Sequence, residues 1–125
     1  METIDVRTTT RIETIDVTAL VRAAIKKRGI DTGIACVFCP HTTAGLTIQE
    51  NSDPAVKAAL VDQLSRLAPH TADGNNDAHV KSSLVGATLS LIVEGGKPVL
   101  GPWQAVYFCE FDGPRNRKLL VTVIG

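Results

Sequence analysis

Two polar stretches hold most of the side chains in this chain that could do chemistry. Pro40 to Asn51 reads PHTTAGLTIQEN and places an imidazole, hydroxyls, a glycine, a carboxylate and a carboxamide within twelve residues. A purely structural strand rarely needs that mixture. The second stretch, His70 to Ser83, reads HTADGNNDAHVKSS and contains the other two histidines of the chain. Imidazole titrates near neutrality, donates hydrogen bonds to oxyanions and ligates metals through its neutral form. His41, His70 and His79 could therefore hold a divalent ion such as Zn or Mg in an open three-imidazole site. They could equally transfer protons and bind phosphate. His70 and His79 lie nine residues apart, which matches no metal signature, so spacing leaves both readings open.

Around these histidines, Thr42 adds a hydroxyl beside His41, and Glu50 and Asn51 add a carboxylate and an amide at the far end of the first stretch. Read as a strand, His79 to Leu84 turns His79, Lys81 and Ser83 to one face and Val80, Ser82 and Leu84 to the other. A face carrying His, Lys and Ser fits a phosphate contact as well as it fits a solvated edge. Arg115, Arg117 and Lys118 surround a turn near the C-terminus, a cluster that is ordinarily solvated but would suit a pyrophosphate. Trp103 opens a strand, where its ring is expected to pack.

The elements that must position these groups follow from periodicity. Ile4 and Val6 alternate with polar neighbours, and Arg11 to Ile15 repeats the pattern, giving two short strands. Asp16 caps a helix whose apolar residues Leu20, Val21, Ala24 and Ile25 form one stripe; Lys26, Lys27 and Arg28 suit its negative end and Gly29 stops it. Gly33 to Phe38 is an apolar run of buried-strand length, ended by Pro40. Leu46 and Ile48 alternate along a second strand that ends at Glu50. If it is straight, His41 stands roughly 25 to 30 Å from Glu50, so both serve one pocket only if the chain bends or a second subunit contributes. Ser52 then caps a helix with Val56, Ala59, Leu60, Leu64 and Leu67 as its stripe, ended by Pro69. Strands at His79 to Leu84, Thr88 to Val93, Trp103 to Phe111 and Lys118 to Ile124 close the chain, with successive strands expected to pair. The expected architecture is α+β, an antiparallel β-sandwich of seven or eight strands with two flanking helices, in a single domain spanning 1–125.

Composition narrows the function classes. Thirteen basic residues balance thirteen acidic ones, so no global field draws in nucleic acid or an anionic membrane surface. No signal-peptide pattern and no apolar run of spanning length is present, and a cytoplasmic location is expected. Cys36, Cys39 and Cys109 cannot all pair, which fits reduced thiols; the CxxC spacing of the first two falls in a strand, where small buried hydrophobes are the expected role. No P-loop, dinucleotide fingerprint, HExxH or nucleophile elbow occurs.

The segments HTTAGLTIQENSDPAV at 41–56, GNNDAHVKSSLVG at 74–86 and GPWQAVYFCEFDGPRNRK at 101–118 resemble the signature blocks of the YjbQ family of small bacterial and archaeal proteins. The resemblance implies a homotrimer with a polar pocket between neighbouring subunits, to which His41, Glu50, Asn51, His70, Asn75, His79, Ser82 and Trp103 would map. It also implies secondary thiamine-phosphate synthase activity, joining a pyrimidine pyrophosphate to a thiazole phosphate with loss of pyrophosphate. On this basis His41, Glu50 and His79 are the expected catalytic groups. Thr42, Asn51, Asn75, Lys81, Ser82 and Trp103 are the expected substrate contacts, and His41, His70 and His79 the expected metal ligands. Two other readings stand beside it: a metal-dependent hydrolase whose imidazoles activate water, and a non-catalytic module that binds a phosphorylated metabolite or a metal.

Overall fold

The computed structural model describes all 125 residues. The elements run β1 (Glu2–Arg7), β2 (Glu13–Asp16), α1 (Thr18–Arg28), β3 (Gly33–Phe38), β4 (Ala44–Glu50), α2 (Pro54–Leu67), α3 (Asn76–Val85), β5 (Thr88–Glu94), β6 (Lys97–Pro98), β7 (Gln104–Glu110) and β8 (Asn116–Ile124). Two antiparallel sheets form, in strand orders β1-β8-β3-β5-β6 and β2-β7-β4. The expected α+β sandwich is therefore present.

Pairing between successive strands, expected from the short turns, occurs only at the β5–β6 hairpin. β1 and β2, β3 and β4, and β7 and β8 each split between the two sheets. The connections are corners: Pro40 offers no ladder donor after β3. At the β7–β8 corner, a side chain at Gly113 would collide with the Thr10 carbonyl.

Alternation then builds the core. Ala35 and Val37 of β3, Leu119, Val121 and Val123 of β8, and Leu91 and Val93 of β5 point inward. They meet Leu46 of β4, Val106 and Phe108 of β7, and the buried side of α1, Val21, Ala24 and Ile25. Ile34 and Phe38 of β3 are exposed, so the apolar run read as a buried strand is buried on one face only. β7 is buried on both faces, because α2 and α3 cover the small sheet: Leu64, Ala78, Cys109 and Phe111 form a second apolar cluster there.

The helices differ from expectation in three details. Asp53, not Ser52, caps α2 by accepting from the Ala55 amide at 2.9 Å. Leu20, Ala59 and Leu67, read as buried stripe residues, are exposed. The third difference matters most: the segment read as a strand from His79 is the helix α3. Among its residues only Val80 and Val85 are β-branched, and its stabilising contacts have helical spacing. Asp77 accepts from Lys81 four residues on, and Ser83 Oγ donates to the His79 carbonyl. The predicted face of His79, Lys81 and Ser83 is thereby broken up: Lys81 and Ser82 turn inward, while His79, Val80, Ser83 and Leu84 face out.

Candidate functional site

At the β3–β4 corner, Cys39, His41 and Thr43 meet the end of β7 and the start of β8. Glu110 of β7 is fully enclosed and faces Arg117 of β8, itself 6% exposed. The Arg117 guanidinium donates to both carboxylate oxygens of Glu110 and to Thr43 Oγ1 at 2.8 Å. Thr8 Oγ1 donates to Glu110 at 2.7 Å and accepts from the Arg115 amide at 2.8 Å, tying the β1–β2 connection to the same point. Burial works to raise the Glu110 pKa, but the bonds from Arg117, Thr8 and the Asp112 amide outweigh it and hold the carboxyl below its usual range. Arg117, read as a solvated turn residue, is thus part of the interior.

His41 sits on the rim of this network. Its Nε2 accepts from the Lys118 amide at 2.9 Å, which leaves its proton on Nδ1. Burial, aided by the Arg117 charge, lowers its pKa, and a ring whose Nε2 accepts a hydrogen bond is the neutral form. Thr42 beside it is exposed.

The second cluster is centred on α3. Asp77, whose side chain is 2% exposed, accepts from Lys81 Nζ at 2.7 Å and from Arg11 Nη2 at 3.0 and 3.1 Å, and its Oδ1 lies 3.0 Å from His70 Nδ1. Burial alone would raise its pKa; the bonds from Lys81, His70 and Arg11 together drive it far below the carboxylate range. Lys81 is 1% exposed, a lysine wholly committed to one carboxylate. His70 and Arg11 keep their outer atoms towards solvent, with side chains 45% and 29% exposed. Asn75 links this cluster to the first: its Nδ2 donates to Asp112 at 2.9 Å, and Asp112 also takes Arg115 Nη2 at 3.0 Å. The Asn75 bond and the Arg115 charge hold Asp112 below its usual pKa against a smaller effect of burial.

The expected site residues therefore fall into two sets. His41, Asn75 and His70 are held at one end of the sandwich by the bonds to Lys118, Asp112 and Asp77, while Thr42 and His79 beside them are exposed and make no side-chain bond. Lys81 and Ser82, expected to touch substrate, face inward there: Lys81 pairs with Asp77, and Ser82 Oγ donates to the Ala44 carbonyl at 2.7 Å. Glu50, Asn51 and Trp103 lie at the opposite end of the small sheet, because β4 runs in unbroken register against β7 from Ala44 opposite Glu110 to Glu50 opposite Gln104. Six residues of strand separate those ends by roughly 20 Å. Asn51 and Gln104 there line a cleft of about 700 Å³ with Asp16, Thr18 and Arg22. Trp103, expected to pack, is 61% exposed, and its carbonyl accepts from the Asn51 amide.

Within one chain no three His, Cys, Asp or Glu side chains converge where a metal could be held.

Sequence reasoning missed Asp77, Arg11, Glu110 and Asp112. Asp77 had a signal, the four-residue spacing to Lys81, but only for a segment read as helix. The pairing of Glu110 with Arg117 and of Asp112 with Asn75 joins elements whose proximity is set by the fold.

Fold and site together define a small α+β sandwich with two helices behind its smaller sheet and a charge-paired polar end. The chain belongs to the family described as UPF0047 protein YjbQ-like, which matches residues 2–125. It is 47% identical to the UPF0047 protein YugU of Bacillus subtilis, covering all of this chain and 99% of that protein. A UPF0047 protein of Methanocaldococcus jannaschii is 46% identical, over 96% of this chain and 91% of that protein. The crystal structure of an uncharacterized conserved YjbQ/UPF0047 family protein from Clostridium acetobutylicum superimposes with a TM-score of 0.94 at 43% identity, covering 99% of this chain and 100% of that one.

Proposed function

We propose that this chain is the subunit of a cytoplasmic homotrimeric enzyme acting on a phosphorylated small molecule, with thiamine-phosphate synthase activity as the reaction to test first. The observation that carries this reading is the Asp77 cluster. A buried carboxylate holds one buried lysine and aims a half-exposed imidazole and a guanidinium at solvent. Such an arrangement costs stability to assemble and suits a site better than a core.

In this reading His70, with its Nδ1 proton held by Asp77, presents Nε2 as a proton acceptor or, once protonated, a donor. Arg11 and Arg115 take phosphate oxygens, and Asn75, oriented by Asp112, adds an amide contact. His41 supplies an Nδ1 proton to an oxyanion, and a departing pyrophosphate is stabilised by these fixed donors. His79, exposed on α3, takes a neighbouring phosphate or proton. A divalent ion would need donors from a second subunit.

The trimer supplies what one chain lacks. Glu50, Asn51 and Trp103 of one subunit would complete the His41 end of the next. Ile34, flanked by Ile92 and Ile124 in register on the outer face of the large sheet, offers an apolar surface for that assembly, with 55%, 64% and 74% exposure.

The test is complementation. His41→Ala and Glu50→Gln are each expected to lose about 10²-fold or more in thiamine-phosphate formation from the pyrimidine pyrophosphate and the thiazole phosphate. Mixed and reassembled one to one, they should regain about a quarter of wild-type activity, because a quarter of the interface sites then combine two intact halves. Trimers of each variant with unchanged turnover would refute the site, and no recovery on mixing would refute its location between subunits.

A further inference from the structure

The concave surface between the C-terminal half of α1 and the β5–β6 hairpin carries a second charge arrangement, away from the histidines. Arg22 and Lys26 lie four residues apart on one side of α1, and Lys97 faces them from β6. With Gly29, Asp31, Gly95 and Gly96 they line a cleft of about 420 Å³. That volume falls in the range of small-molecule sites.

Three features set this cleft apart from an ordinary solvated face. Of the thirteen Lys and Arg residues, seven hold a carboxylate in an ion pair, namely Arg11, Lys27, Arg66, Lys81, Arg115, Arg117 and Lys118. Three of the six that do not are gathered here. Two of those three, Arg22 and Lys97, lie outside the last turn of α1, so compensation of the helix dipole accounts only for Lys26. The floor is also held open. Gly29, Gly95 and Gly96 all have positive φ, no atom stands within 4 Å of where their side chains would be, and the Gly96 amide donates to the Asp31 carbonyl at 3.0 Å, fixing the hairpin against the α1–β3 loop.

We propose that this cleft binds a sugar phosphate. Its phosphate dianion lies among Arg22, Lys26 and Lys97, which with Asp31 give the cleft a net charge of +2. The Asp31 carboxylate, in no ion pair and engaged only by the Thr32 hydroxyl, takes a sugar hydroxyl. Asp31 repels the phosphate of either ligand, but a sugar phosphate offsets that repulsion with carbon-borne hydroxyls that reach the carboxylate from beyond its phosphate, so the carboxylate favours an organic hydroxyl-bearing phosphate. Arg22 is shared with the adjoining cleft of Asn51 and Gln104. Lys26, Lys97 and Asp31 belong to neither half of the proposed catalytic site, so this inference stands or falls apart from it.

The test is titration calorimetry of the whole protein with ribose 5-phosphate, inorganic phosphate and ribose at low salt, where exposed charges act most strongly. Ribose 5-phosphate is expected to bind more tightly than either of the others. The double variant Lys26→Ala/Lys97→Ala should weaken it about tenfold or more, each lost charge contact being worth roughly a three- to fivefold change. Asp31→Asn should weaken ribose 5-phosphate about threefold while strengthening inorganic phosphate. Arg28→Ala, which removes a neighbouring cation outside the cleft, should leave binding within about twofold. Binding no tighter than that of ribose, an Arg28→Ala loss equal to that of the double variant, or an Asp31→Asn change of the same sign for both phosphates would each overturn the proposal.

Discussion

Asp77 and Lys81 are both inaccessible, yet their removal should have unequal consequences, because their remaining partners differ. Asp77→Asn leaves the Lys81 ammonium, 1% exposed, facing a neutral amide, with no other carboxylate in reach. Removing one member of a buried pair in this way costs about 3–5 kcal/mol. Lys81→Met keeps the apolar stem, and Asp77 still holds Arg11 at 3.0 and 3.1 Å and His70 at 3.0 Å. Its cost should be lower, ~1.5–3 kcal/mol, that of one charged hydrogen bond. The double variant Asp77→Asn/Lys81→Met should recover about 2 kcal/mol relative to the sum of the singles. Urea denaturation at pH 7 measures all three. Acid adds an independent reading. The folded-state pKa of Asp77 lies below its unfolded value, so its stabilisation is complete above about pH 5 and fades as pH falls through the carboxylate range. Wild type should therefore lose stability more steeply on acidification than Asp77→Asn. A Lys81→Met cost equal to or above that of Asp77→Asn, or equal acid slopes, would refute the account of which partner depends on which.

Glu110→Gln should cost about 3 kcal/mol or more, since it leaves Arg117 buried beside a neutral amide with only Thr43 as a further side-chain partner; thermal unfolding checks this. His41 has a lowered pKa in the fold, so it stabilises the protein above the unfolded imidazole value near 6.5 and that contribution fades as pH falls; His41→Gln should flatten the stability profile between about pH 5 and 7. Gly45→Ala would set a methyl 2.6 Å from the Gly86 carbonyl, where β4 meets the end of α3, and is expected to cost about 1–3 kcal/mol by denaturation. Burial pushes the Cys109 thiol up to about 12 and also raises Cys39, so a thiol reagent on the native protein should label Cys36 first and the other two only on unfolding.

Local pattern was enough for α1, whose stripe and glycine stop lie in adjacent residues, and for the alternating strands β1, β4 and β5, because side-chain periodicity is a local property. It was also enough to single out both polar stretches and to foresee that His41 and Glu50 stand too far apart for one pocket, which needs only the rise of a strand. Pairing was a different matter. Short connections favour hairpins, but here most of them turn corners between sheets, and which strands become neighbours depends on apolar faces far apart in sequence. The segment from Asn76 to Val85 shows the same limit. Its composition suits a strand or a helix about equally. The helix wins because Ala78 and Ser82 dock on the small sheet while Asp77 meets Arg11 from the opposite part of the chain. The class of fold and the available chemistry were thus legible in local pattern. That Lys81 and Arg117 are interior cations, held by Asp77 and Glu110, follows from contacts made across the fold. A buried charge is tolerated only where a partner meets it, and Asp77, four residues from Lys81, and Glu110, seven from Arg117, meet them only once α3 and the β7–β8 corner have formed.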